Sequence, residues 1–168
     1  MHSYIEKVFA FVVAIGIVAA FSPSVSDANI GTADQFVASV AGDPTGTHTL
    51  TADIELSGWM PCNFAGTLDG AGHKITGLTG ALFSNLTGTV KDLTIQGSAT
   101  EIAITADADF GVLAVVASGA TVSGCTVSGF KLVSQQVTAK VYPGMGFFVG
   151  RAYDGCSFNA WSVDSRCS

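Results

Sequence analysis

The chain has 168 residues, 48% of them hydrophobic and 12% charged, with 20 glycines and a formal net charge of −6. That is room for one domain. It is too apolar for a disordered solvating segment and carries the wrong sign of charge for gripping nucleic acid. Scattered Gly, Thr, Ser and Val weaken helices and suit turns and strands, which excludes a helical bundle and points to an all-β fold.

In chain order the first element is a targeting segment. A polar start, Met1 to Lys7, leads into the apolar run Val8 to Phe21 and then to the small residues Ser26 and Ala28. The run is shorter than the roughly 20 residues a membrane-spanning helix needs, and the succession has the n, h and c regions of a secretory signal peptide over residues 1–28, cleaved after Ala28. Ile5-Glu6 ahead of an apolar stretch also resembles the mature start of type IV pilins, which implies as a lesser alternative a pilin-like filament subunit with a retained N-terminal helix. An exported chain lies in an oxidising compartment, where Cys62, Cys125, Cys156 and Cys167 can form disulfides in any of three connectivities. Without C-x-x-C, and with His48 and His73 far from any cysteine pair, the metal reading is poor and no cofactor is expected.

Residues 29–46 predict a capping helix and linker. Thr32 stands ready as N-cap, Phe36, Val37 and Val40 share one helical face, and Gly42-Asp43-Pro44 stops the helix. From Thr47 onward strands are expected. The sequence repeats itself there: Gly88 to Gly97 (GTVKDLTIQG) matches Ala120 to Gly129 (ATVSGCTVSG), with further copies at Tyr153 to Ala160 and, shortened, at Ile75 to Thr79. Each copy reads apolar, two turn-forming residues, apolar, polar, apolar. A gap of three between the first two apolar positions breaks strand alternation, so the chain turns a corner there. The corner pairs are Lys91-Asp92, Ser123-Gly124, Asp154-Gly155 and Thr76-Gly77, whose Gly and Asp tolerate positive φ. Before three of the copies stands a small residue with two large apolar ones: Ala81-Leu82-Phe83, Gly111-Val112-Leu113 and Gly146-Phe147-Phe148. Strand, corner, strand and a further apolar face, repeated, is the plan of a parallel β-helix over residues 47–168. On that plan Thr89 lies over Thr121, Thr94 over Thr126 and Val90 over Val122, while Leu93, Cys125 and Cys156 form an inward column in which the two cysteines are neighbours, either as buried thiols or as a disulfide.

The segments Leu50 to Trp59, Phe64 to Ile75, Leu82-Phe83 and Gly88 to Ile95 resemble the GLUG-motif modules of adhesin-like secreted and surface proteins. The likeness is clearest over about Gly31 to Gly97. Two departures stand out: the G-L-F-G core appears as Ala81-Leu82-Phe83-Ser84, and this β-helix is short beside such modules. The resemblance implies a right-handed parallel β-helix solenoid at the cell surface, usually with no assigned catalytic residue.

Several residues carry chemistry that must be weighed against turn-making. Asp69-Gly70-Ala71-Gly72-His73 resembles stretches of β-helix polysaccharide lyases and hydrolases and could do acid-base work, yet D-G and A-G are corner dipeptides. Asp107 and Asp109 could form a glycosidase-like carboxylate pair, although the variable connection holding them also suits acidic residues that only keep a loop wet. Lys140 and Arg151 are the only basic residues between Lys131 and Arg166, too few to grip an acidic sugar. Asn85-Leu86-Thr87 is an N-glycosylation sequon. Thr45, Thr47, Thr49 and Thr51 alternate as in ice-binding arrays, but they read as one strand near the cap without repetition on successive coils.

These features together predict an exported, non-catalytic surface or adhesion-type module binding another macromolecule or a polysaccharide, with no assigned catalytic, cofactor or metal residue. The alternative is a carbohydrate-active enzyme using Asp69 or the Asp107–Asp109 pair. The apolar final segment, Phe147 to Val163, predicts self-association or partner docking through the C-terminal coil, unless the tail folds back over it with Cys167 bonded.

Overall fold

A computed structural model describes residues 27–97, 101–104, 109–134, 145, 146, 148–159 and 162–164. The described residues open with β1 (Ala28–Ile30), then α1 (Ala33–Phe36), which widens into a π-turn over Val37–Ala41. One circuit follows as β2 (Thr47–Leu50), β3 (Ile54–Glu55) and β4 (Cys62–Phe64), and a second as β5 (Thr67–Asp69), β6 (Lys74–Thr76) and β7 (Phe83–Leu86). The third is longer: β8 (Thr89–Lys91), β9 (Thr94–Gln96), β10 (Glu101–Ile104), β11 (Phe110–Gly111) and β12 (Ala114–Ala117). The fourth repeats that plan with β13 (Thr121–Ser123), β14 (Thr126–Ser128), β15 (Lys131–Ser134), β16 (Met145–Gly146) and β17 (Val149–Ala152), and β18 (Ser157–Asn159) and β19 (Ser162–Asp164) follow.

Corresponding strands of successive circuits pair in parallel. The first sheet runs β1-β2-β5-β8-β13-β18, the second β3-β6-β9-β14-β19 and the third β4-β7-β12-β17, with β10-β15 and β11-β16 as extra pairs. The fold is therefore all-β with the parallel sheets of a β-helix. β1 lies ahead of the expected strand start at Thr47 and sets Ala28 opposite His48.

Alternation along these short strands points every second side chain inward. His48, Leu68, Val90, Val122 and Phe158 stand in register in the first sheet, and Ile54, Ile75, Ile95 and Val127 in the second. Apart from Phe158, which is half-buried, each of these is at most 4% exposed. Phe64 stacks on Phe83 at 4.8 Å in the third wall. As expected, Thr89 pairs with Thr121, Val90 with Val122 and Thr94 with Thr126.

The corners behave as the residue types require. Asp92 has φ 50°, Gly124 61°, Gly155 83° and Gly77 78°, so the second member of every proposed corner pair is left-handed. Two alignments are corrected. Ile75 stands opposite Ile95, while Leu68 is the residue opposite Val90; the corner from Asp69 to His73 is longer than the one at Lys91-Asp92. The last copy is also shifted, because Val122 pairs with Phe158 and Tyr153 is 53% exposed. Asp154-Gly155 turns the corner from the third sheet into the first, beside Gly119, whose N–H bonds to Asp154 O at 3.3 Å. Apolar residues around a turn pair occur at more than one corner of the coil, so the local pattern does not say which corner it serves.

The same shift removes Cys156 from the column of Leu93 and Cys125. It follows the corner at the level of Ala120, whose carbonyl accepts the Ser157 N–H at 2.8 Å. Cys62, Cys125 and Cys156 are free thiols, so the proposed Cys125–Cys156 bridge does not form; Cys167 lies outside the described residues. Burial pushes the Cys62 and Cys125 thiols up, away from thiolate reactivity.

The helix covers the start of the stack. Thr32 Oγ1 accepts the Gln35 N–H at 3.2 Å, and Phe36 and Val40 are fully buried. Phe36 meets Trp59 edge-on at 5.2 Å, and Trp59 Nε1 donates to Leu82 O at 2.7 Å. Val37 is 48% exposed, contrary to expectation: Phe36 and Val40 follow the i, i+4 stripe, and Val37 lies a third of a turn away where the helix widens. Among the described residues no helix is long and apolar enough to cross a membrane. The segment up to residue 26, with its expected signal peptide, and the tail from Ser165 to Ser168 lie outside the described residues.

Candidate functional site

The outer face of the first sheet is built from the residues that alternate with its core column. Thr47, Thr67, Thr89, Thr121 and Ser157 occupy one register position on β2, β5, β8, β13 and β18. Two residues along, Thr49, Asp69, Lys91, Ser123 and Asn159 form a second column, which Asn29 on β1 extends by one strand. Rungs of such a sheet lie about 4.8 Å apart and the two columns about 6.7 Å apart. Eleven hydrogen-bonding side chains thus face outward in a grid. Only two of them are charged, and these neutralise each other, Lys91 Nζ reaching Asp69 Oδ2 at 2.6 Å.

The Thr47 position, expected on one strand alone, therefore recurs on successive coils and extends the expected Thr89–Thr121 pair, while Thr49 is followed by Asp69 and Lys91. Beyond Thr89 and Thr121 the series is hidden by its spacing: Thr47, Thr67, Thr89, Thr121 and Ser157 are separated by 20, 22, 32 and 36 residues. A search at one fixed period misses that series. A better signal was present in the dipeptides Gly46-Thr47, Gly66-Thr67, Gly88-Thr89, Ala120-Thr121 and Cys156-Ser157, each a small residue before a hydroxyl. A β-carbon at Gly66 would strike Gly46 O, and one at Gly88 would strike Gly66 O. Close stacking of the coils there demands the small residue, and the strand that follows opens with the hydroxyl.

The carboxylates considered for catalysis have other partners. Asp69 Oδ1 accepts the Ala71 N–H at 2.8 Å while Oδ2 takes Lys91. The Lys91 hydrogen bond holds the Asp69 carboxyl below the usual carboxylate range, and Asp69 in turn raises Lys91. His73 turns to a different group, with Nδ1 3.5 Å from Asp53 Oδ1. Asp53 Oδ1 also accepts the Lys74 N–H at 3.0 Å, and chiefly that bond lowers its pKa. Asp109 pairs with Arg151 at 3.0 Å; Asp107 and Lys140 lie outside the described residues.

These pairs share a direction. Asp53–Lys74, Asp69–Lys91, Glu101–Lys131 and Asp109–Arg151 each join successive circuits, and in each the acid belongs to the earlier one. Asp69 and Lys91 are register partners, as are Glu101 and Lys131.

Asn85, the sequon residue, sits in β7 between Asn63 and Val116 with its Oδ1 buried and unpartnered, unlike the surface loop in which an acceptor asparagine ordinarily lies. His48 is 1% exposed; its Nε2 donates to Asp43 O at 2.8 Å and its Nδ1 has no partner. Beside α1 a mainly apolar recess of about 510 Å³ is walled by Val37, Leu56, Trp59, Met60 and Pro61, with Asp34 also in its lining.

Comparison with protein-family models, curated proteins and solved structures finds no match to this chain.

Proposed function

We propose that the chain is an exported, non-catalytic surface module of the right-handed parallel β-helix type, akin to GLUG-motif adhesin-like proteins, which contacts another macromolecule through its coil faces. The observation that carries this reading is the pairing of four of its carboxylates, Asp69 among them. Asp53, Asp69, Glu101 and Asp109 tie one circuit to the next through ion pairs, and Asp69 has each of its oxygens engaged. A general acid or base needs a proton-transfer atom within reach of substrate and a pKa near the working pH. Asp69 is held in the opposite sense, as a stable carboxylate. What remains outward on the first sheet is a grid suited to binding.

The test has two arms. The full chain is incubated with a polysaccharide panel and products are measured, and it is also assayed for retention on the surface of its own cells. Retention without turnover supports a binding module. Turnover that disappears in Asp69→Asn would replace it with a carbohydrate-active enzyme. Fractionation and N-terminal sequencing of the recovered protein test export and cleavage after Ala28.

A further inference from the structure

We infer that the occupant of the first sheet's outer face is a linear, uncharged polysaccharide lying across the rungs, an inference that rests on the binding-module reading above. The face selects its partner by what it offers. The column Thr47, Thr67, Thr89, Thr121 repeats one hydroxyl per rung without interruption. Each hydroxyl both donates and accepts, as sugar hydroxyls do, so the array meets a repeating hydroxylated chain with a partner at every step. The spacing of about 4.8 Å between rungs is close to the length of one pyranose ring in an extended glycan.

The alternatives lack counterparts on this surface. Binding to a polyanion is driven by unpaired Lys and Arg that neutralise its charges, and the one cation in the grid, Lys91, is held by Asp69 at 2.6 Å. An apolar protein surface needs an apolar patch to bury against, and all eleven outward positions are Thr, Ser, Asn, Asp or Lys. An ice surface calls for an unbroken flat array, which the Asp69–Lys91 pair interrupts in the second column.

The experiment is co-sedimentation of the full chain with insoluble cellulose, chitin and β-1,3-glucan, with pectate and growing ice crystals as comparison surfaces. The double variant Thr67→Glu with Thr89→Glu places two carboxylates in the grid, and Thr121→Glu, on an exposed rung, gives a milder version should the double variant fold poorly. Gln96→Glu, exposed on the second sheet, is the control. The expected result is pelleting with at least one neutral polysaccharide, weakened about tenfold or more by the grid variants, as unpaired polar groups at a contact would cause, and unchanged in the control. Equal binding by wild type and the folded grid variants overturns this face as the site. Pelleting with pectate or ice but with no neutral glycan overturns the ligand class. Retention on cells through a protein, with no glycan bound, defeats this inference and leaves the binding module standing. Cleavage of the bound polymer, or no retention on any glycan or cell, defeats the module reading itself.

Discussion

At Gly66 and Gly88 the backbones of successive circuits approach too closely for a β-carbon, which would meet Gly46 O and Gly66 O. Gly88→Ala is expected to cost about 1–3 kcal/mol, the usual penalty of overpacking, as a lowered midpoint in urea titration. Asp69 makes a second test at this scale. Asn in its place keeps an oxygen for the Ala71 N–H and loses the charge that holds Lys91, so Asp69→Asn should cost about 0.2–1 kcal/mol at neutral pH. Asp53 and Asp69 are both held below the ordinary carboxylate range. Folding therefore favours their ionised forms. That contribution is complete above an unfolded value near 4 and is lost as pH falls below it through the lowered folded values. Urea midpoints measured from pH 7 down to 3 should fall for the wild type and fall less for Asp69→Asn. The positive-φ corners were legible in the sequence because only a few residue types accept that conformation. The partners of Asp69 and His73 were not legible, since Lys91 and Asp53 reach them from neighbouring circuits.

The cap is the element whose energetics are most separable. Phe36 is fully buried edge-on against Trp59, so Phe36→Ala should cost about 3–5 kcal/mol. Thr32→Ala removes the N-cap oxygen and should cost about 1 kcal/mol, whereas Val37→Ser, on an exposed side chain, should fall within about 0.5 kcal/mol of wild type. Tryptophan emission reports on the cap through Trp59, and a red shift in Phe36→Ala at denaturant concentrations that leave Val37→Ser unchanged would confirm the ranking. The helix could be read from its N-cap and its i, i+4 pair. The exposure of Val37 could not, because the widening after Phe36 leaves no separate mark in residue type. β1 went unseen for a related reason: a three-residue strand acquires its identity from β2 beside it, with Ile30 opposite Leu50.

For the whole molecule, the plan of strand, corner and strand was recoverable because two circuits, those of Val90 and Val122, are similar in length and share their corner. The other circuits differ by loops that the repeat does not describe, and the added strands β10 and β15 pair with each other instead of joining the three walls. Far-ultraviolet circular dichroism should show mainly strand with a small helical component; a mainly helical spectrum would contradict the fold. The one-way sequence of ion pairs has a consequence for how such a chain finds its order. Stacked circuits of similar shape invite mispairing, in which a strand skips a neighbour or docks on a copy of itself. A circuit that carries Asp69 toward the next and Lys74 toward the one before would, if laid on its own duplicate, set acid over acid and base over base. Each circuit is thus addressed to its successor. Exchanging the charges, Asp69→Lys with Lys91→Asp, should restore much of what either change alone removes, and a double-mutant cycle measures that recovery. In a tandem duplication of residues 67–88 the addresses would clash at the new seam.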